Sequence, residues 1–247
     1  MYLIGDIGNT EIKICIFNTN KKVIKKISLK TNLLSYKYLN KKLKFLKLYT
    51  QLIKKTLFCS VVPSAFKKVK TYLENNNQIK CKELKQVNLK NLINIKVNKK
   101  QIGSDRLANA ISVIDNKLNY IILDFGTATT FDVINKNKYL GGIISPGVNL
   151  SLKTLSLKAS LIPTINLSKI KKVIGKNTKS AVRSGFYWGY TGLIDNIIKL
   201  IIKQTGKSYK IIFTGGLAHL FKDSINSKII INKDLTINGV LKASKYL

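Results

Sequence analysis

Three segments of this chain set a carboxylate beside glycine and hydroxyl residues: Asp6-Ile7-Gly8-Asn9-Thr10, Gly103-Ser104-Asp105-Arg106 and Asp124-Phe125-Gly126-Thr127-Ala128-Thr129-Thr130. Only 11 of the 247 residues are acidic, against 44 basic ones, so three carboxylates in such company stand out. A carboxylate can hold a hard cation, usually through water. Glycine lets backbone amides come close to an anion. Phosphoryl transfer needs these parts: metal-held phosphates, backbone donors and a base that orients the attacking hydroxyl.

Each segment has a plainer reading as well. At Asp6, the carboxylate would hold Mg²⁺ through water, the Gly8 and Asn9 amides would approach a phosphate, and Thr10 and Lys13 would add donors. The same residues could form only a hairpin with an Asp turn cap. Around Asp124, Thr127, Thr129 and Thr130 crowd hydroxyls beside a carboxylate, yet threonine is also a common strand former. Asp105 could be a general base for an alcohol, with Arg106 binding a carboxylate of the same substrate. It could equally complement the dipole of a helix start. No Gly-x-x-x-x-Gly-Lys-[Ser/Thr] and no Gly-x-Gly-x-x-Gly occurs, so neither a P-loop nor a dinucleotide fingerprint is supported.

The elements that must position these residues follow from hydropathy. An apolar run at 2–6 and an alternating run at 11–17 flank Gly8-Asn9, a two-residue hairpin signal. Residues 23–29 suggest a third strand, 33–48 has helical spacing, 57–62 reads as a buried strand stopped by Pro63, and 65–73 reads as a helix. Asn75-Asn76-Asn77 reads as a loop, and 86–100 as strand plus loop. Leu107, Ala110, Ile111 and Ile114 follow helical spacing, with Ser104 as the expected cap and Asp105 in the first turn. Strands are expected at 120–124, 128–134 and 138–144. A helix should run from Pro146-Gly147 to about Leu157, and a long one over 178–203, with Gly185, Gly189 and Gly192 as close-packing or dimer-contact points. A strand at 209–213, Thr214-Gly215-Gly216 and a short helix close the pattern. A strand–turn–strand–strand unit with helices thus appears twice, near residue 1 and near residue 119, and each copy opens on an apolar run, Asp, any residue and Gly. This predicts an α/β protein of two similar halves, 1–116 and 117–247, with a cleft between them where the three carboxylates meet.

Composition narrows the partners. A net charge of +33 usually suggests nucleic acid or an anionic membrane. But 42 of the basic residues are lysine, and Arg106 and Arg183 are the only arginines. Arginine is the preferred side chain for bidentate recognition of bases and phosphates. Lysine, isoleucine and asparagine are spread along the whole chain, as AT-rich coding would produce. No specific nucleic-acid site is expected, only salt-sensitive polyanion binding. No apolar run is long enough to span a bilayer, so no membrane partner is expected. Cys15, Cys59 and Cys81 match no zinc spacing and suggest core thiols in a reduced, cytoplasmic setting. His219, the only histidine, reads as structural.

The chain resembles the type III pantothenate kinases over essentially its whole length. The resemblance rests on the three segments together with Gly141-Gly142-Ile143-Ile144-Ser145-Pro146-Gly147, Gly175-Lys176-Asn177-Thr178 and Ser184-Gly185. It implies a fold of the actin, sugar-kinase and heat-shock-ATPase type: two tandem ribonuclease-H-like domains, each a mixed five-stranded sheet flanked by helices. It implies ATP-dependent phosphorylation of pantothenate to 4'-phosphopantothenate, the first step of coenzyme A biosynthesis. By this likeness Asp6 to Lys13 would hold ATP phosphates and Mg²⁺, and Asp105 would accept the proton. Gly103, Ser104, Asp105 and Arg106 would line the pantothenate site, Thr127 would contact ATP and Thr178 pantothenate. Asp124 would bind a monovalent cation, K⁺ or NH₄⁺, and a homodimer would form. The chain departs from the family where Lys96 stands for a tyrosine and Lys99 for a proline, on either side of Asn98.

The chief alternative is a non-catalytic transcriptional accessory protein on the same fold, which would tolerate loss of Asp105 or Asp124. Another superfamily kinase or phosphatase acting on a sugar or polyphosphate would share the layout too, because chemistry belongs to the site and not to the fold.

Overall fold

Leu3, Ile4 and Ile7 of the first strand are fully buried, so β1 (Tyr2–Ile7) must be covered on both faces. The computed structural model describes residues 1–247 and divides them into two units. Met1–Ile114 with Asp234–Leu247 forms the first, and Asp115–Lys233 the second.

In the first unit, β1 pairs antiparallel with β2 (Glu11–Phe17), and β2 antiparallel with β3 (Val23–Lys30). On its other side β1 runs parallel to β4 (Lys55–Ser60), which is parallel to the two-residue β5 (Lys82–Glu83). The sheet order is β3-β2-β1-β4-β5. The free edge on β3 carries Lys25, Lys26 and Lys30, a charged edge of the kind that discourages pairing with other chains. Helices α1 (Tyr36–Leu43) and α2 (Pro63–Asn77) cover one face, where Leu3, Ile7, Ile14, Ile16 and Phe58 pack with Leu39, Leu43, Val69 and Leu73. Ser35 caps α1 by accepting the Tyr38 N–H, and Pro63 opens α2 at a position where its missing N–H costs nothing.

The opposite face carries Ile4, Asp6, Cys15, Leu57 and Cys59 in register. Helices α3 (Ser104–Val113) and α7 (Leu235–Ala243) pack against each other and against β1 and β4. The helix pair is tight: a Cβ on Gly239 would lie 1.8 Å from the Ala108 carbonyl oxygen. Thr236 donates to Asn109 Oδ1 at 2.8 Å, and Lys242 donates to the Ile114 carbonyl. Asn94–Ile95 forms the short β6.

In the second unit, β7 (Asn119–Phe125) pairs antiparallel with β8 (Ala128–Asn135), and β8 with β9 (Lys138–Pro146). β7 is parallel to β10 (Lys210–Gly215), and β10 to β11 (Ile229–Ile231). Its own strands therefore run β9-β8-β7-β10-β11, the same order and directions as β3-β2-β1-β4-β5. The expected repeat is a repeat of topology. Helix α5 (Thr178–Thr205) lays Tyr187, Ile194, Ile198 and Ile201 on Ile121, Leu123, Phe131 and Phe213. Helices α4 (Val148–Lys158) and α6 (Ala218–Phe221) complete the unit. No helix is long and apolar enough to cross a membrane.

Several expectations change. The last fourteen residues, 234–247, group with the first unit rather than with 117–233, because α7 has its apolar face on α3. Asn75–Asn77 is the last turn of α2, not a loop. Asn77 is buried, Asn76 donates to the Tyr72 carbonyl at 3.1 Å, and Gln78 ends the helix in the left-handed region at φ 54°. The first hairpin turn spans Gly8-Asn9-Thr10, closed by the Gly8 N–H on the Glu11 carbonyl at 2.9 Å. A Cβ on Gly185, Gly189 or Gly192 would meet no atom of this chain within 4 Å, so these glycines are not points of close packing inside it. All three cysteines are buried and free, as expected of core thiols.

Candidate active site

Asp6 is the penultimate residue of β1 and is half-buried. It stands directly across from Lys13 on β2 and from Cys59 on β4. The Cys59 thiol donates to Asp6 Oδ1 at 3.4 Å. Burial pushes the Cys59 thiol well above its ordinary pKa, and the Asp6, Asp105 and Glu83 carboxylates push it the same way. The thiol therefore stays protonated. A protonated thiol is a donor to Asp6 and no rival ligand, so the site presents oxygen, as a hard cation requires. No group of three His, Cys, Asp or Glu converges to hold a metal. A single carboxylate fits Mg²⁺, which commonly uses one or two carboxylates beside water and substrate phosphates.

The turn after Asp6 is braced from β3's far end. The Thr31 hydroxyl donates to the Gly8 carbonyl at 2.8 Å, and the Thr31 N–H to the Thr10 carbonyl at 3.1 Å. The Gly8 N–H is paired within the turn, donating to the Glu11 carbonyl. Asn9 and Thr10 stand exposed at the tip. Lys13 lies 3.8 Å from Glu11 Oε2, a weak surface pair.

Asp105 lies in the first turn of α3. Its Oδ1 accepts the Arg106 N–H at 2.7 Å. Burial raises its pKa above the ordinary carboxylate value, against the Arg106 N–H and guanidinium, which lower it. Raising a carboxylate in this way makes it a better proton acceptor at working pH. The helix that carries Asp105 packs on β4, the strand that carries Cys59 beside Asp6, so two of the three carboxylates belong to the same face of the first unit.

Ser104 does not cap α3. Gly103 holds the cap position, and Ser104 is the first helical residue, 1% exposed, with its hydroxyl donated to Glu83 Oε1. Glu83 Oε2 also accepts the Lys85 N–H at 2.6 Å. Sequence reasoning missed Glu83, since a lone Glu after Lys82 in a poorly patterned stretch looks like surface charge.

Asp124 takes in the second unit the place Asp6 takes in the first, next to last on the central strand. Its turn is one residue shorter, closed by the Gly126 N–H on the Ala128 carbonyl at 3.0 Å. Thr127 is exposed at the tip, and its carbonyl accepts the Gly147 N–H at 3.1 Å. Gly215 has φ +85°, and a Cβ there would come within 2.7 Å of Asp124 Oδ1. Only glycine tolerates so close an approach of β10 to Asp124 and to the Phe125 backbone. Thr130 pairs with Asp124, whereas Thr129 is fully buried opposite Phe125 and serves the core. Asp132, also missed, is fully buried and accepts the Tyr139 hydroxyl at 2.6 Å. Thr178 is the exposed first residue of α5, behind the capping box of Asn177 and Ser180.

Comparison with known proteins identifies the family. A family model described as type III pantothenate kinase matches residues 2–200. The type III pantothenate kinase of Pelagibacter ubique (strain HTCC1062) is 59% identical over 247 residues, covering 100% of both chains. Among solved structures, a protein of Sinorhizobium meliloti assigned as a 2-dehydro-3-deoxygalactonokinase superposes with TM-score 0.62 at 9% identity, covering 99% of this chain and 98% of that one. One of Campylobacter jejuni, assigned to the Baf family of transcriptional activators, superposes with TM-score 0.61 at 20% identity, covering 98% and 97%. At such identities the two structures speak for the fold alone, so the second gives no support to a non-catalytic role.

Proposed function

The chain belongs to the type III pantothenate kinase family and phosphorylates pantothenate with ATP in coenzyme A biosynthesis, and on that premise we propose how its residues divide the work. Asp105 accepts the proton of the primary hydroxyl. As the O–H bond breaks, the oxygen bonds to the γ-phosphorus and the bond from phosphorus to ADP breaks. Gly103 and Arg106 line the pantothenate site, with the Arg106 guanidinium facing the substrate carboxylate. Thr178 is a further contact to pantothenate. Asp6, Asn9, Thr10 and Lys13 face the ATP phosphates, and Thr127 contacts ATP. Asp6 would hold the nucleotide's Mg²⁺ through water, and the metal would supply positive charge to offset that of the phosphates. Asp124 holds the monovalent cation.

The packing of α3, with Asp105 in its first turn, on the strand that sets Cys59 beside Asp6 carries this reading, since it puts a metal-type carboxylate and a buried base on one face of the first unit. The raised pKa of Asp105 supports its role as acceptor, and the place of Asp124, next to last on β7 as Asp6 is on β1, supports a cation there. Leu157, Leu161, Val173 and Ile174 expose apolar side chains, Leu161 by 90% and Ile174 by 85%. Exposed apolar side chains of this kind support a homodimer. The enzyme is a cytoplasmic one on this reading.

ATP consumption with and without pantothenate, in K⁺ and then in Na⁺ buffer, tests the assignment. Turnover should require pantothenate and should fall in Na⁺. Pantothenate-independent hydrolysis, or equal rates in the two buffers, would count against the site and the cation respectively.

A further inference from the structure

We propose that Glu83 and Lys85 are positioning residues that latch the segment 100–104 and so set the aim of Asp105. The inference rests on Asp105 being the proton acceptor. Residues 100–103 carry no regular structure, yet they deliver the base. Something must fix them, because a misplacement of about 1 Å can cost on the order of 10²-fold in rate.

The fixings are all on one short stretch. Glu83 is held by β5, where it pairs with Phe58, the neighbour of Cys59. Its carboxylate has two committed oxygens: Oε1 takes the Ser104 hydroxyl and Oε2 the Lys85 N–H. Its own N–H donates to Gln86 Oε1 at 2.9 Å, closing a capping box on the turn 84–86. Two residues on, the Lys85 ammonium reaches back to the Lys100 carbonyl at 3.0 Å and the Ile102 carbonyl at 2.9 Å. Ile102 and Ser104 are both buried, so the loop is pinned at both ends of Gly103. Charge-assisted bonds to backbone carbonyls are among the stronger fixings available to a loop. Lysine is the commonest charged residue of this chain and is mostly solvated, but this one is partly buried with two acceptors.

The latch makes a prediction that plain stabilisation does not. A loosened loop admits water to Asp105. Its raised pKa comes first from burial, so hydration should bring it down, and the acid limb of the kcat/KM profile should move to lower pH.

The experiment compares Glu83→Gln, Lys85→Met and Ser104→Ala with wild type and with Asp105→Asn, at temperatures well below melting. Each latch variant should lower kcat for pantothenate phosphorylation about 10-fold, the scale of one hydrogen bond to a charged group. The KM for ATP should stay unchanged and the acid limb should fall. Ser104→Ala removes one hydroxyl alone and keeps the test alive if Glu83→Gln does not fold by circular dichroism. Wild-type kcat and an unmoved acid limb in folded latch variants, beside an inactive Asp105→Asn, would overturn the latch alone. An active Asp105→Asn would remove the base itself, and the latch as stated with it.

Discussion

Cys59 Sγ lies 3.4 Å from Asp6 Oδ1 across the parallel register that pairs these residues on β4 and β1. A thiol in a carboxylate's neighbourhood is commonly read as reactive. Here both burial and negative charge hold it protonated. Burial also takes Cys15 up to about 11 and Cys81 higher still. No cysteine should therefore react with Ellman's reagent at pH 8 while the protein is folded, and all three should react in guanidinium. Fast labelling of Cys59 in the native enzyme would show that its surroundings are wetter than described.

Asp105→Asn should fold and lose about 10²-fold or more in turnover, the range of general-base loss. It should also be the more heat-stable protein at pH 7. The folded pKa of Asp105 is raised above its unfolded value, so the folded chain binds the proton more tightly. Ionisation then costs stability as pH rises from the unfolded value to the folded one, and the cost is fully present above the latter. Asparagine removes it. Melting curves should show the variant ahead at pH 7 and level with wild type below the unfolded carboxylate value of about 3.9. A variant less stable at pH 7 would contradict the burial of this charge.

Much of this layout was readable from types and spacing, and the misses share a cause. Asp6 and Asp124 were found because each follows an apolar run and precedes Gly8 or Gly126, a pattern local to five residues. Glu83 and Asp132 were missed because their partners, Ser104 and Tyr139, are fixed by packing rather than by periodicity. Ser104 was expected as a helix cap, since capping is the commonest use of serine before an apolar stretch. A neighbouring carboxylate claimed its hydroxyl instead. The two sheets follow from alternation within strands. The return of α7 to the first unit does not, because Gly239 declares its fit only against Ala108.

Gly239→Ala should cost about 1–3 kcal/mol, the usual penalty for overpacking, since its Cβ would strike a backbone carbonyl that cannot swing aside. Hydrogen exchange locates the damage. Amides of α3 and α7 should exchange faster while those of α5 keep their protection. Unchanged exchange in α3 would mean the helices part without loss.

Asp124→Asn should abolish the difference between K⁺ and Na⁺ buffers and leave a low rate in both. Gly215→Ala should do the same while also destabilising the chain by about 1–3 kcal/mol, because its Cβ would strike the Phe125 backbone and alanine disfavours φ +85°. A K⁺ response that survives Asp124→Asn would assign the cation to other oxygens.

The division of the chain has a consequence for its birth. Synthesis runs from residue 1, yet α3 lacks its helical partner until Leu235–Ala243 has left the ribosome. The contiguous stretch Asp115–Lys233 has no such debt to a later segment. A released chain truncated after Lys233 should therefore hold a protease-resistant second unit downstream of an unfinished first one, reversing the usual order in which the earlier-made domain settles first.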